Sequence, residues 1–398
     1  MSVTYPRGFL AAAVAAGLKP SGKLDLGLLV ADPGCSAAGL FTTNELAAAP
    51  VIIGRARLAS GSPRAVLVNS GQANAATGDR GLADAETAAA AVASQIGLDP
   101  AEVVPSSTGV IGEPLHMTEL LAALPGLASA LSSGGGGDFA RAIRTTDTVD
   151  KQATADAGDL RVGGCAKGVG MISPNLATML VFATTDAVVA GDDLRRLAAE
   201  QLAPRFHALT VDACTSTNDT VLLLASGAAG GDPVRPGTPV WDDLARAVGA
   251  VGESLLRQLA ADAEGVTHVV LVEVRGAATE IEARAAAKAV ADSPLVKTAA
   301  FGGDPNPGRI LQAVGAAGVS VDPARVDVSI GDVPVAIGGV IPPAYFDEAG
   351  DLQAAARAAM KEAEIAITVS LGAGTAASRA VGCDLSHDYV RINGEYTT

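Results

Sequence analysis

The sequence predicts a layered α/β fold, a mixture of helices and sheets with a sizeable antiparallel part. Several runs rich in β-branched and aliphatic residues are typical of strands, and longer stretches between them have helical periodicity. The two kinds of element do not alternate regularly, so a doubly wound nucleotide-binding fold is not expected. Because aromatic residues make up only 3% of the chain, we expect a core of Ala, Val, Leu and Ile side chains.

The β-branched runs and the helical periodicity assign individual strands and helices. Strands are predicted at residues 24–32, 63–70, 177–185, 220–226 and 267–274. Helices are predicted at residues 81–97, 191–206 and 241–263. The run SSGGGG at 132–137 is expected to be a flexible loop. No GxxxxGK[ST] or GxGxxG motif follows a predicted strand, so neither ATP nor NAD binding is implied.

Length and charge narrow the class of protein. A chain of 398 residues is long enough for two domains. The formal net charge of −15, from 28 basic and 43 acidic residues, argues against a nucleic-acid groove and against docking on anionic lipid. We therefore expect an enzyme that acts on small molecules, with no nucleic-acid or membrane partner.

The four cysteines and four histidines are dispersed along the chain without CxxC spacing. Neither a zinc site nor a disulfide framework is therefore predicted, and buried free thiols in a reducing cytoplasm are expected. The apolar run at 9–18 imitates a secretory signal, but it is Ala-rich and leads into a predicted strand, so no signal peptide is expected. No uninterrupted run of 18 apolar residues predicts a transmembrane helix.

The most informative segment is GGCAKGVGMISPNLATMLVF at residues 163–182. Here Lys167 lies among glycines, and a Pro-Asn turn precedes the small pair Ala177-Thr178. Residue propensities alone favour a loop that enters a buried strand, with Thr178 as the first β-branched residue of that strand.

This segment is similar to the self-processing region of the ornithine acetyltransferase family of arginine biosynthesis. The matching motifs occur in the same order as in the family and cover nearly the whole chain. Together they identify the family more specifically than any single motif does. The other matching motifs are RGFLAAAVAAGLKPSGKLDLGLL (7–29), GLFTTNELAAAPV (39–51), NSGQANAATG (69–78), SSTGVIGEPLHM (106–117), AIRTTDTVDK (142–151), STNDTVLLL (216–224), ADAEGVTH (261–268), SPLVKTAAFGGDPNPGRIL (293–311) and YVRINGEYTT (389–398).

The resemblance implies autoproteolysis. In this family the hydroxyl of the internal threonine, here Thr178, attacks the preceding carbonyl, here that of Ala177, and water hydrolyses the resulting ester. The expected products are an α chain of residues 1–177 and a β chain of residues 178–398, with a smaller C-terminal lobe from about residue 280. The implied fold is the one that these enzymes share with self-processing aminopeptidases.

The implied reaction is a ping-pong acetyl transfer. Thr178 takes acetyl from N2-acetyl-L-ornithine and passes it to L-glutamate, and its new α-amine, with a pKa of about 7.7 to 8.0, is suited to serve as the base. No cofactor is implied. Some family members also use acetyl-CoA as donor, and whether this chain has that second activity stays open. The resemblance further implies a heterotetramer of two α and two β chains.

The site residues carried over from the family fall on specific positions of this chain. The oxyanion hole falls on Thr108 and Gly109. Lys167 is suited to an α-carboxylate, and Glu264 to the ornithine ammonium. The substrate-binding positions are Thr145, Lys167, Thr178, Glu264, Asn393 and Thr398.

Most of these positions have an ordinary structural alternative. Thr108-Gly109 is also typical of a β-turn, and a lysine between glycines is usually solvated. Thr145 is also suited to capping a turn, and Glu264 to following a helix. A C-terminal residue such as Thr398 normally frays.

Three residues depart from the expected family pattern. They are Gln72 in place of Asn, His268 in place of Lys, and Pro307 in place of Trp. Because they leave the predicted chemistry intact, they bear on the identity of donor and acceptor. Three other functions stay open: a self-processing aminopeptidase or amidohydrolase, a paralogue acting on another acyl amino acid, and an unprocessed binding protein.

Overall fold

A computed structural model describes residues 2–173, 179–347 and 351–395 of the chain. The chain divides into two compact units. The first comprises residues 1–207 and 214–259, and the second comprises residues 208–213 and 260–397. The bond between Ala177 and Thr178 lies outside the described residues, so the fragment boundary remains a prediction.

The described residues form mixed secondary structure throughout. The strands are β1 (Phe9–Val14), β2 (Leu26–Ala31), β3 (Ser36–Phe41), β4 (Ala65–Gln72), β5 (Val103–Val110), β6 (Lys151–Ala157), β7 (Leu160–Lys167), β8 (Leu180–Thr185), β9 (Thr220–Ala225), β10 (Val269–Ala277), β11 (Asp327–Ile330), β12 (Val333–Ala336), β13 (Glu364–Ser370) and β14 (Ala376–Cys383). The α-helices are α1 (Ala49–Ser60), α2 (Gly78–Ile96), α3 (Met117–Ser129), α4 (Gly136–Ala142), α5 (Gly191–Gln201), α6 (Ala203–Phe206), α7 (Pro239–Ala261), α8 (Glu280–Asp292), α9 (Pro294–Gly302), α10 (Pro307–Gly315), α11 (Asp351–Ala359) and α12 (His387–Glu395).

The predicted layered α/β class is confirmed. Each predicted strand overlaps one of the observed strands, and the helix predicted at 191–206 is divided into α5 and α6. Pairing is antiparallel except for β4 with β5, β8 with β9, and β10 with β13, which are parallel. The antiparallel share that the sequence predicts is therefore present in all three sheets.

Two sheets pack face to face in the first unit. One has the strand order β1-β2-β4-β5, and the other has the order β3-β9-β8-β7-β6. Apolar side chains from both sheets share one buried cluster, into which α4 inserts Phe139. The Phe139 ring meets the Phe182 ring of β8 edge to face, with 5.4 Å between the centroids.

Helices cover the outer faces of both sheets. Helices α2 and α3 pack on the first sheet through a second apolar cluster that includes Leu28, Val92 and Leu124. Helix α7 packs on the second sheet. Its Val251 side chain lies so near β7 that a Cβ placed on Gly164 would be only 3.0 Å from it. Alternation of inward and outward side chains along each strand accounts for these layers. The first unit is thus a four-layer α/β/β/α arrangement.

The second unit contains one mixed sheet of order β12-β11-β13-β10-β14. Its β10 side chains Val270, Val272 and Val274 alternate into an apolar cluster, which is shared with the alanines of α8. Helix α8 begins with a capping box, in which Thr279 and Glu282 bond each other's backbone N–H.

The expectation of a flexible loop at 132–137 is wrong in part. The Ala11 N–H of β1 donates to the Ser132 carbonyl at 2.9 Å, and helix α4 begins at Gly136. A Cβ on Gly135 would lie 1.8 Å from the Ala11 carbonyl oxygen. Gly135 is required because its backbone runs against β1, which composition alone does not reveal.

The strand register brings one end of the second sheet together. Lys167, the last residue of β7, lies opposite Leu180, the first residue of β8. Leu180 in turn lies beside Thr220, the first residue of β9. Gly168, Met179 and Asp219, which flank these strand ends, therefore lie at the same end of the sheet.

Cys35, Cys165 and Cys383 are buried and form no disulfide, as expected, but Cys214 is exposed, so the prediction of burial is wrong there. Across the described ranges no helix has both the length and the apolar composition needed to cross a membrane.

We expect Phe139→Ala to destabilise the first unit by about 3–5 kcal/mol, because it leaves a cavity between the two sheets. Trp241 is the single tryptophan, is only 4% exposed and belongs to this unit, so its fluorescence reports the unfolding. The measurement is the urea midpoint. Leu46→Ala is the control, since Leu46 is 79% exposed and its loss should cost less than about 0.5 kcal/mol. Equal midpoints for the two variants would contradict this packing.

Candidate active site

Lys167 is a buried lysine whose ammonium joins two threonines. It is 2% exposed, and its Nζ donates to Thr108 Oγ1 at 3.1 Å and to Thr145 Oγ1 at 2.8 Å. Two other residues that the sequence predicts for the site, from separate segments, are thus within hydrogen-bond distance of the Lys167 ammonium. The alternative of a solvated lysine is wrong.

Asp147 holds the backbone of this cluster in place. One carboxylate oxygen accepts from Lys151 Nζ at 2.7 Å and from the Gly168 N–H at 2.8 Å, and the other accepts from the Thr145 N–H at 3.1 Å. Burial alone would raise the pKa of Asp147, but the charges of Lys167 and Lys151 hold it at about 2. At neutral pH the buried lysines therefore have an ionised carboxylate beside them.

Thr108 and Gly109 lie near the end of β5, not in a β-turn. Gly109 has a φ of 135° and lies opposite Gly71 of the parallel strand β4. A Cβ on Gly109 would lie 2.2 Å from the Gly71 carbonyl oxygen, so both the conformation and the packing require glycine. Because the Thr108 hydroxyl accepts from Lys167, its own proton is available to donate to another group.

A second lysine supports the segment before Thr145. Lys19 Nζ donates to the Leu24 carbonyl at 3.0 Å and to the Arg144 carbonyl at 2.7 Å. Burial lowers the pKa of Lys19 to about 8, although Asp25 opposes this shift. Lys19 therefore adds positive charge near Lys167 at neutral pH and fixes the carbonyl of the residue that precedes Thr145.

Asp219 is a buried carboxyl group next to the predicted cleavage position. Its Oδ1 accepts from the N–H of Met179, the residue that follows Thr178, at 3.1 Å. Burial raises the pKa of Asp219 well above its usual range, against weaker lowering by the Met179 N–H and by Lys167. Sequence reasoning missed both Asp147 and Asp219, because nothing in a linear pattern separates a buried aspartate from a surface one.

Glu264 and Asn393 meet in the second unit. Asn393, on α12, donates from Nδ2 to Glu264 Oε2 at 2.9 Å, and Glu264 is 9% exposed. Gly265 permits the contact, since its φ is 70° and a Cβ there would lie 2.4 Å from the Tyr389 backbone nitrogen. Ser386 Oγ also donates to the Gly265 carbonyl at 2.6 Å. Glu264 is therefore a buried, hydrogen-bonded carboxylate and not only a residue that follows a helix.

The three departures from the family pattern have separate environments. Gln72, in β4, donates to the Leu18 carbonyl at 3.0 Å, while its side-chain oxygen is buried with no hydrogen-bond partner in the described part of the chain. His268 Nδ1 lies 2.8 Å from Thr267 Oγ1 and 3.7 Å from an Asp384 oxygen. Pro307 is buried as the first residue of α10, a position that proline favours.

Three predicted site residues, Ala177, Thr178 and Thr398, lie outside the described residues, and their roles remain predictions. Within residues 2–173, 179–347 and 351–395, no group of three or more His, Cys, Asp or Glu side chains is arranged to hold a metal ion. The cluster that these residues do form can donate hydrogen bonds to negatively charged oxygen, which suits acyl transfer and carboxylate binding.

Comparison with known proteins extends over the full chain. The model of the ArgJ family matches residues 10–398. The arginine biosynthesis bifunctional protein ArgJ of Symbiobacterium thermophilum is 46% identical over 402 residues, which cover 100% of this chain and 98% of that protein. ArgJ of Thermus thermophilus is also 46% identical, over 403 residues and 100% of both chains.

A solved structure is similar as well. The crystal structure of arginine biosynthesis bifunctional protein ArgJ from Bacillus halodurans is 38% identical, has a TM-score of 0.51, and covers 54% of this chain and 98% of its own. The family model and the two full-length relatives confirm the family resemblance that the motifs indicated. The chain belongs to the ArgJ family, whose members are acyltransferases of arginine biosynthesis.

Proposed function

We propose that this chain transfers acetyl from N2-acetyl-L-ornithine to L-glutamate, giving L-ornithine and N-acetyl-L-glutamate. The observation that carries the proposal is the buried Lys167 ammonium, which donates to the hydroxyls of Thr108 and Thr145. The chain acts after autoproteolysis between Ala177 and Thr178, and Thr178 then carries the acetyl group.

The first half-reaction forms an acetyl ester. The Thr178 hydroxyl attacks the acetyl carbonyl, and its proton passes to the free α-amine of the same residue. Collapse of the tetrahedral intermediate breaks the amide bond, and ornithine leaves with that proton on its nitrogen. In the second half-reaction the amine of glutamate attacks the ester carbonyl and gives a proton to the Thr178 α-amine. Collapse breaks the ester C–O bond, the proton returns to the Thr178 oxygen, and N-acetyl-L-glutamate leaves.

The oxyanion receives hydrogen bonds from Thr108 and Gly109. Thr108 already accepts from Lys167, so its hydroxyl proton is directed elsewhere, and the adjacent cation makes that hydroxyl a stronger donor. The glycine backbone admits close approach of an N–H to the substrate.

Substrate binding uses charges that suit amino acids. Lys167, supported by Thr145, binds the α-carboxylate that both substrates share. Glu264, which accepts a hydrogen bond from Asn393, binds the ornithine ammonium. Thr398 completes the proposed set. The use of acetyl-CoA as a second donor belongs to the same proposal, and no cofactor is required.

The proposal includes assembly and location. Two α and two β chains form a heterotetramer, as the resemblance implies. The enzyme works in the cytoplasm, a compartment suited to buried free thiols such as those of Cys35, Cys165 and Cys383.

The first test is the intact mass of the purified protein. Wild type should give two fragments, the second beginning at Thr178, and Thr178→Ala should give one chain, because it lacks the attacking hydroxyl. Wild type mixed with N2-acetylornithine and glutamate should form N-acetylglutamate, measured by liquid chromatography and mass spectrometry.

Other outcomes have distinct meanings. Acetate in place of N-acetylglutamate would indicate a hydrolase, and exchange by an uncleaved wild type would remove Thr178 as an N-terminal nucleophile. A single uncleaved chain without exchange would indicate a binding protein. Exchange with a different acyl amino acid only would indicate a paralogue of changed substrate preference.

A second test separates the two threonines that contact Lys167. Thr108→Val keeps the shape but removes an oxyanion donor, so kcat should fall about 10²- to 10³-fold with little change in KM. Thr145→Val removes a hydrogen bond of about 1 kcal/mol from substrate binding, so KM should rise several-fold with a smaller effect on kcat. Steady-state kinetics of both processed variants measures this difference, and Thr108→Ser should restore much of the rate. Equal effects on kcat would contradict the assignment.

A further inference from the structure

The turn at 16–19, between β1 and β2, is held by one buried carboxylate. Asp25 is 0% exposed, and its two oxygens accept from the N–H groups of Ala16 at 2.6 Å, Leu18 at 2.7 Å and Lys19 at 3.0 Å. Hydrogen bonds to a carboxylate are stronger than those between neutral groups, and three of them restrict the backbone here. The turn is therefore a fixed support for the Lys19 side chain.

This turn packs on β4 where β4 pairs with the predicted oxyanion residue. Gln72 Nε2 donates to the Leu18 carbonyl at 3.0 Å. A Cβ on Gly71 would lie 2.7 Å from the same carbonyl oxygen and 3.6 Å from the Lys19 side chain. Gly71 in turn pairs with Gly109 of β5. The position of Lys19 is thus set by the same part of the sheet that carries the oxyanion glycine.

Lys19 connects this turn with the segment that carries Thr145. Its Nζ donates to the Leu24 carbonyl at 3.0 Å and to the Arg144 carbonyl at 2.7 Å. The Thr145 N–H donates to Asp147 at 3.1 Å. The Arg144 carbonyl and the Thr145 N–H belong to one planar peptide group, so Lys19 and Asp147 hold its two opposite sides.

We propose that Lys19 is a positioning residue for the substrate-binding hydroxyl of Thr145. Lys19 and Asp147 fix the plane of the peptide group before Thr145, and that plane determines where Thr145 Oγ1 lies. Without the bond from Lys19 the peptide group can rotate, which moves Oγ1 away from the substrate carboxylate and from Lys167 Nζ, 2.8 Å from it. This inference rests on the proposed function and adds Lys19 to it.

The charge of Lys19 makes this positioning dependent on pH. Burial lowers the pKa of Lys19 to about 8. Of the charged groups around it, Asp25 and Asp147 raise that pKa, and Lys167 and Arg144 lower it. A neutral amine is a weaker donor than an ammonium, so the bond to the Arg144 carbonyl weakens as the pH rises through about 8. Substrate binding should weaken over the same range.

The test is a double-mutant cycle between Lys19→Met and Thr145→Val, measured by steady-state kinetics of the processed full-length enzyme. Methionine keeps most of the aliphatic stem and removes the ammonium. At pH 7, Lys19→Met alone should raise KM for both substrates about three- to ten-fold, with a smaller change in kcat. In the Thr145→Val background the same change should alter KM less than about twofold, because no hydroxyl is left to position.

Lys23→Met is the matched control. Lys23 follows the same turn and is exposed, so the loss of its charge should leave KM unchanged in both backgrounds. Thermal unfolding and intact mass verify that each variant folds and cleaves. If the KM effects of Lys19→Met and Thr145→Val multiply, Lys19 does not act through Thr145 and the proposal is overturned. A fall in kcat with unchanged KM would also overturn it.

Thr145→Val supplies a measurement that needs no change at Lys19. The ratio of its KM to that of wild type should fall from several-fold at pH 7 to less than about twofold at pH 9.5, because only wild type has a hydroxyl for Lys19 to position. Titrations that both enzymes share, such as those of the substrate amines, cancel in this ratio. A ratio that stays constant with pH would contradict the proposal. Failure of the proposed function is distinguishable, because wild type would then remain uncleaved or exchange no acetyl groups.

Discussion

The buried ammonium of Lys167 is the constraint on which the arrangement of the first unit's site depends. A lysine removed from water is costly unless charges and hydrogen-bond acceptors surround it. Thr108, Thr145 and the nearby carboxylate of Asp147 supply that environment. Because these groups come from β5 and from the segment before β6, burying one charge fixes the relative position of separate parts of the chain.

The double-sheet architecture makes this possible. Lys167 ends β7 in one sheet, and Thr108 lies near the end of β5 in the other, so the two packed sheets contribute to one cluster. Gly71 of β4 and Gly109 of β5 pair so closely that no Cβ fits at Gly109. Apolar packing around Phe139 and Phe182 holds the sheets together, so the stability of the core and the geometry of the site are linked.

The sequence predicted the fold class well because strand and helix patterns are local. It also predicted Thr108, Thr145 and Lys167, but only through ordered family motifs, since propensity favoured a turn at Thr108-Gly109 and a solvated Lys167. Asp147 and Asp219 could not be found, because their burial and partners arise from contacts distant in sequence. The prediction of a flexible loop at 132–137 was wrong for the same reason, since the packing of Gly135 on β1 is a tertiary contact.

The three departures from the family pattern divide between the units in a way that bears on specificity. His268 and Pro307 belong to the second unit, as do Glu264 and Asn393, whereas Thr108, Thr145 and Lys167 all belong to the first. Gln72 is in the first unit, but its side chain bonds the Leu18 carbonyl and takes no part in the Lys167 cluster. All three changes spare the Lys167 cluster, and the change from Lys to His at 268 lies in the unit that contains Glu264, the proposed partner of the ornithine ammonium. A change of substrate preference through the second unit is therefore compatible with the proposed acyl-transfer residues of the first unit.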